Sequence, residues 1–277
     1  NLLERRLIYA HSVGRAPKIV VPVHFAGQPT EQEAIWELSR EFGFRVLEDA
    51  CHSLGASRNG EPVGSCKWSD ITVFSFHPLK MITTGEGGMA LTNDEELAWK
   101  MSLLRSHGIT RDEKRMERTP EGPWYYEQID LGYNYRMTDV QAALGLSQLS
   151  RLEYFTRRRN DMAKLYGERL TGLPLKIQSV SPGNLSSYHL FVARLFNDPQ
   201  QKDHRDAFRE LRTGGIGVNL HYMPVHLQPY FRKLGFAPGM YPESEVHGST
   251  ALTLPLYADL TAETIEQVVQ SIYTVLK

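Results

Sequence analysis

Short apolar, β-branched runs alternate with helix-spaced segments in the N-terminal part of the chain, and this alternation limits the fold more than any other feature. Lys18 to Phe25 (KIVVPVHF) is suited to a strand buried on both faces. Glu31 to Phe42 shows helix spacing through Ala34, Ile35, Leu38 and Phe42, with Thr30 as a plausible N-cap and Gly43 as its stop. Arg45 to Asp49 (RVLED), Ile71 to Phe76 (ITVFSF) and Met89 to Thr92 read as further strands. Asp94 to His107 reads as an amphipathic helix closed by Gly108. Buried strands alternating with helices specify α/β architecture with a largely parallel sheet.

The rest of the chain divides into recognisable stretches. Thr110 to Gln128 is polar and then aromatic, an excursion whose length is usual for functional or mobile loops. From Thr138 to about Leu170 a helical period recurs, read as one or two helices leading into a smaller domain. That domain begins near Gly172-Leu173-Pro174. It holds a strand at Tyr188 to Leu195, a helix at Arg205 to Arg212, a strand near Val218 to Tyr222 and a final helix from Thr261 to Leu276. The expected division is a large domain over 1–150, including the linking helix, and a small C-terminal domain over 151–277. The opening NLLERRLIYAHSVG has no initiator Met and is already in helical register, so further residues are expected upstream.

With 31 basic and 32 acidic side chains the formal charge is −1, which argues against a main partner that is nucleic acid or an anionic membrane. Arg157-Arg158-Arg159 reads as a solvated helix face. Two cysteines, Cys51 and Cys66, make no disulfide framework and fit a reducing, cytoplasmic setting. No apolar run approaches the roughly 18 to 20 residues that span a bilayer, and no signal peptide is evident.

In open α/β sheets ligands sit at the carboxyl ends of strands. Asp49 ends RVLED there, and Lys80 lies just past ITVFSFHP. The two suit a plain ion pair. They equally suit pyridoxal phosphate, whose aldehyde needs a lysine and whose pyridine nitrogen needs a carboxylate. His52, three residues past Asp49, is placed to stack on that ring, and Ser75 to offer a hydroxyl to the phosphate. Other chemistries fit less well. Cys51, His52 and Cys66 lack zinc spacing, and His221-x4-His226 sits beside Pro224 rather than on a clean helix, so no metal site is expected. GEGG is not a dinucleotide fingerprint, and no G-x-S-x-G elbow supports a hydrolase.

VPVHFAGQP (Val21 to Pro29), EDACHSLGA (Glu48 to Ala56), SFHPLKMITTGEGG (Ser75 to Gly88), RSHG (Arg105 to Gly108) and LGYNYRMTDVQAALGLSQL (Leu131 to Leu149) occur in that order. Together they closely resemble the DegT/DnrJ/EryC1/StrS aminotransferases, and the resemblance covers essentially the whole chain. It implies a fold-type I enzyme, with an α/β/α large domain and an α+β small domain, that aminates nucleotide-linked keto-sugars with pyridoxal 5'-phosphate. It implies that Lys80 bonds the cofactor, Asp49 faces the pyridine nitrogen, His52 lies against the ring and Ser75 contacts the phosphate. Asn134 resembles the asparagine that reaches the neighbouring subunit's cofactor, which implies a homodimer. The family's phosphate-gripping loop at a helix N-terminus is not found in this sequence.

Within the family the chain is most similar to the C4-aminotransferases of the pseudaminic-acid pathway. These act on a UDP-linked 4-keto-6-deoxy N-acetylated hexose with glutamate as the expected donor. His221 and Tyr222 then match the segment that closes over substrate, and Arg115, Arg118, Trp124 and Tyr125 are candidates to cap the nucleotide. A dTDP-linked or 3-keto substrate remains open, as does a non-catalytic binding or regulatory relative.

Overall fold

The computed structural model describes residues 2–196 and 202–276. It contains two compact units: one from Asn1–His24, Pro29–Leu54 and Glu61–Ser150, the other from Phe25–Gln28, Gly55–Gly60 and Arg151–Lys277.

The first unit opens with helix α1 (Leu2–Ser12) and is built on four strands, hydrogen-bonded in the order β1 (Ile19–Val20), β2 (Arg45–Asp49), β3 (Ile71–Ser75) and β4 (Gly88–Leu91). β1, β2 and β3 are parallel, with Leu47, Glu48 and Asp49 opposite Ile71, Thr72 and Val73, and β4 returns antiparallel on β3. Parallel neighbours need a crossover, and α2 (Gln32–Phe42) supplies it between β1 and β2. Gly43 ends α2 in the left-handed conformation (φ 75°) with its N–H on Ser39 O. Leu7, Leu38, Phe44 and Val46 form the small core beneath α1 and α2.

β1 is shorter than Lys18 to Phe25 suggests. Pro22 carries no N–H to extend the ladder, and pairing resumes only as an isolated bridge between Val23 and Asp49. Pro22 and His24 are buried while Ile19, Val21 and Val23 are about half exposed, so only one face is covered. Thr30 does not cap α2. The N-cap position is Glu31, without a side-chain cap bond, and the Thr30 N–H donates to His24 Nδ1 instead (3.0 Å).

α3 (Glu95–Arg105) begins at Asp94, whose carboxylate accepts the Leu97 N–H (3.0 Å). α4 (Asp139–Leu149) starts with a Thr138–Gln141 capping box, and a break at Ser150-Arg151 separates it from α5 (Leu152–Arg169). The long helical pattern is therefore two helices. The stretch Thr110 to Gln128 is anchored at both ends, where Ile109-Thr110 pairs with Glu127-Gln128. The Glu127 carboxylate accepts the N–H groups of Glu117 (2.6 Å) and Arg118 (3.0 Å) and the Tyr125 hydroxyl (2.8 Å). Arg115 pairs with Glu96 of α3 (2.5 Å) and lies 3.9 Å over the Trp99 ring. Its guanidinium is committed to α3 rather than held out toward a nucleotide.

The second unit packs the antiparallel strands β5 (Leu175–Ile177), β6 (Phe191–Leu195) and β7 (Ala251–Leu254), in the order β7-β6-β5, against α5, α6 (His204–Thr213) and α9 (Ala262–Leu276). Two short helices, α7 (Pro229–Lys233) and α8 (Pro242–Thr250), precede β7. Tyr166, Phe191, Leu211 and Ile265 are all at most 1% exposed in its core. Burying a Leu, Ile or Phe fully stabilises by about 1.5–3 kcal/mol. β6 starts later than Tyr188, and the strand expected near Val218 to Tyr222 reduces to one bridge, Asn219 to Thr253. Arg158 and Arg159 are only partly exposed, and their guanidiniums bond the chain. Arg158 donates to Ala258 O and Leu260 O. Arg159 Nη1 donates to the carbonyls of Tyr188, His189 and Leu256 (2.9–3.2 Å). Among the described residues no helix is long and apolar enough to cross a membrane.

Candidate active site

β2 and β3 deliver two side chains to one end of the parallel sheet, Asp49 as the last residue of β2 and Ser75 as the last of β3. Past Ser75 the chain turns through His77-Pro78-Leu79, with Lys80 N–H on His77 O (2.9 Å) and Leu79 N–H on His77 Nδ1 (3.2 Å). The following loop folds back on Phe76, whose carbonyl accepts Thr84 N–H and Thr83 Oγ1–H (both 3.0 Å). One edge of α4 holds the same loop. Gln148 Oε1 accepts Thr83 N–H (3.3 Å), Gln141 Nε2 donates to Glu86 O (3.0 Å), and a Cβ on Gly145 would lie 2.8 Å from Thr84 Cγ2.

The Lys80 amine is half-buried beside Cys51 and Asp49. Burial lowers its pKa, and the negative charge of Asp49 opposes that only in part. Cys51 N–H donates to Asp49 Oδ1 (3.1 Å). Burial, reinforced by Asp49, pushes the Cys51 thiol up to about 11, so it stays protonated at neutral pH. His52 is buried in the turn after Asp49.

The fold thus brings Asp49, Cys51 and Lys80 together, with His52 and Ser75 adjoining them along the chain and on the neighbouring strand. Asn134 lies on a separate segment of the same unit, bridged to Ser106 between the stacked rings of Tyr133 and Tyr135 (4.7 Å). His221 and Tyr222 belong to the second unit. His221 Nδ1 hydrogen-bonds the Thr253 hydroxyl (2.9 Å), its carbonyl meets His247 Nε2 (2.8 Å), and Tyr222 packs edge-on to Phe25. His226 pairs with Glu245 (2.8 Å), and no cluster able to hold a metal occurs among the described residues.

Two features escape a reading of the sequence alone. Cys51 is a neighbour of Lys80, which only the β2–β3 pairing reveals. The Gln141, Gly145 and Gln148 edge of α4 is spaced i, i+4, i+7, a signal present in the sequence. The donor set fits pyridoxal phosphate: an amine of lowered basicity for the aldehyde, a carboxylate for the ring nitrogen, and a hydroxyl on the adjacent strand end for the phosphate.

Comparison with known proteins agrees. The model of the DegT/DnrJ/EryC1/StrS aminotransferase family matches residues 7–273. Protein MJ1066 of Methanocaldococcus jannaschii, itself uncharacterized, is 38% identical over 95% of this chain and 68% of its own. Spr1654 of Streptococcus pneumoniae, described as a sugar aminotransferase and solved in its pyridoxal-phosphate form, superposes with TM-score 0.82 at 29% identity over 93% of this chain and 68% of its own. PseC of Helicobacter pylori, an aminotransferase of pseudaminic-acid biosynthesis, does so with TM-score 0.82 at 29% identity, over 94% and 67%. These matches, on a mixed α/β fold with Asp49 ending one strand and Lys80 in the loop past the next, place the chain in the DegT/DnrJ/EryC1/StrS aminotransferase family.

Proposed function

We propose that this enzyme transfers the amino group of an amino acid, glutamate, to the C4 ketone of a UDP-linked 4-keto-6-deoxy N-acetylated hexose. The cofactor is pyridoxal 5'-phosphate. When bound it acts as an electron sink for the amino-acid carbon and carries the nitrogen between the two substrates. One observation carries the transamination reading: Lys80, a half-buried amine of lowered basicity in the loop past β3, lies within the electrostatic reach of Asp49, the last residue of the neighbouring strand β2.

Each side chain has a defined task. Lys80 Nζ bonds the cofactor at rest and, once released, moves a proton to and from the reacting carbon. Asp49 faces the ring nitrogen and holds its proton, His52 packs against the ring, and Ser75 Oγ takes the phosphate. Asn134 reaches the cofactor phosphate of a second subunit, so the working form is a homodimer in the cytoplasm. Residues 1–150 serve as the cofactor-binding domain and 151–277 as the smaller domain, whose His221 and Tyr222 contact the sugar diphosphate. The likeness to PseC, an aminotransferase of pseudaminic-acid biosynthesis, supports a sugar as the amino acceptor; the C4 and UDP assignments rest on the motif resemblance set out above.

The test is a panel of UDP- and dTDP-linked 3-keto and 4-keto sugars with glutamate, each product located by NMR. Amination at C4 of the UDP-linked N-acetylated sugar, with release of 2-oxoglutarate, is expected. Preference for C3 or for a thymidine carrier overturns the substrate assignment alone. Dehydration without any amino sugar overturns transamination.

A further inference from the structure

Asp49 is one of two consecutive acids on β2. Strand alternation sends Glu48 to the face of Val46, into the interior. Its side chain is 1% exposed, and a carboxylate is costly to bury unless it is paired and hydrogen-bonded. Glu48 Oε2 accepts hydrogen bonds from Thr72 Oγ1 (2.7 Å) and Ser69 Oγ (3.2 Å). Oε1 accepts from Gln32 Nε2 and faces His24 Nε2 at 3.6 Å. His24, itself fully buried, accepts the Thr30 N–H on Nδ1 (3.0 Å), so its own proton sits on Nε2 and points at Glu48. The site is all donors, built for a charged carboxylate and not for a carboxylic acid.

The donors come from four separate segments: the chain after β1, the first residue of α2, the approach to β3, and β3 itself. The backbone ties the same residues to Asp49. His24 N–H donates to Asp49 O (3.0 Å) and Asp49 N–H to Pro22 O (2.9 Å). His24 therefore sets its ring Nε2 against Glu48, at 3.6 Å and beyond hydrogen-bond length, while its main chain bonds Asp49.

We propose that Glu48, locked by Gln32, Ser69 and Thr72 with the His24 ring beside it, is the positioning residue that sets where β2 presents Asp49 to the cofactor. The proposal rests on the role given above to Asp49. Losing the lock frees the strand end, and the cofactor loses a fixed partner for its ring nitrogen without any change in a residue that touches it.

The experiment measures pyridoxal phosphate affinity by absorbance titration at 20 °C, well below melting, alongside far-UV circular dichroism, for wild type, D49N, E48Q, E48D and the exchange variant Q32E/E48Q. Glu48→Gln turns an amide donor toward four donors, so folded E48Q should bind the cofactor at least tenfold more weakly. Q32E/E48Q restores a donor–acceptor pair with the polarity reversed and should recover affinity to within about threefold of wild type. A scaffold role would lower the melting temperature and leave affinity untouched. Wild-type affinity in E48Q and E48D, with D49N weakened, overturns the proposal and spares the site. Wild-type affinity in D49N overturns the site assignment and the proposal with it. If E48Q does not fold, E48D and T72V decide, and unchanged affinity in both overturns the proposal.

Discussion

At the scale of single residues the site depends on protonation states that its walls impose. Lys80→Ala should lose the cofactor's covalent attachment, read as failure of borohydride to fix the cofactor to the chain, and should lower turnover by about 10³-fold. Cys51 should be sluggish despite its position. A thiol held near 11 is almost wholly protonated at pH 8, and its greater intrinsic nucleophilicity recovers only part of the loss. Alkylation by iodoacetamide, followed by mass spectrometry, should run roughly 20-fold slower than for an unstructured cysteine. Glu48 behaves oppositely. Burial by itself would raise its pKa, but the nearby Nε2–H of His24 and the hydrogen bonds from Gln32 and Thr72 together hold it below the ordinary range. A depressed carboxyl pKa contributes stability above the unfolded value, about 4.3, which is lost as pH falls through the folded one. The melting-temperature gap between wild type and E48Q should therefore be full at neutral pH and shrink progressively as pH falls below the unfolded value.

At the scale of elements, α4 and the lysine loop form one mechanical piece. Gly145 is the one fully buried residue of α4, and it lies on Thr84 with no room for a side chain. Gly145→Leu should push α4 off the loop and cost about 1–3 kcal/mol in a denaturant melt, with a shifted absorbance of the bound cofactor reporting the disturbed Lys80. The elements legible in the sequence are those whose period and punctuation agree: RVLED, ITVFSF, and the helix that Gly43 stops. β1 was overestimated because its apolar run contains Pro22, whose missing N–H no hydropathy pattern registers. β5 and β7 were missed because LKI and ALTL are too short to show alternation. The strand ends carrying Asp49 and Lys80 stood out because charged residues at the close of buried runs are unusual. The inward direction of Glu48 is legible from its two-residue offset from Val46, but its partners Gln32, Ser69 and Thr72 are brought to it only by the fold. Arg158 and Arg159 misled because composition does not show which carbonyls a guanidinium will find.

At the scale of the whole molecule, the first unit leaves apolar side chains uncovered on and before α4: Leu131, Tyr135, Val140 and Leu146 are 70–84% exposed. Large exposed apolar side chains concentrated in one segment are candidates for an interaction surface, and the segment is the one that carries Asn134. If the homodimer forms there, Val140→Asp with Leu146→Asp should yield monomers by light scattering, with cofactor affinity reduced because the second subunit's Asn134 is withdrawn. The arginine clamp on α5 acts on the other unit. Arg159 is mostly covered, and the partners it holds are peptide carbonyls, dipoles that belong to the chain itself. Counter-ions in solution compete for surface ion pairs such as Arg169 with Glu266, but they have no route to an oxygen already enclosed with its donor. Molar sodium chloride should thus strip the rim of this unit of its charge pairs and leave its centre untouched, a tolerance to brine built from backbone and one cation.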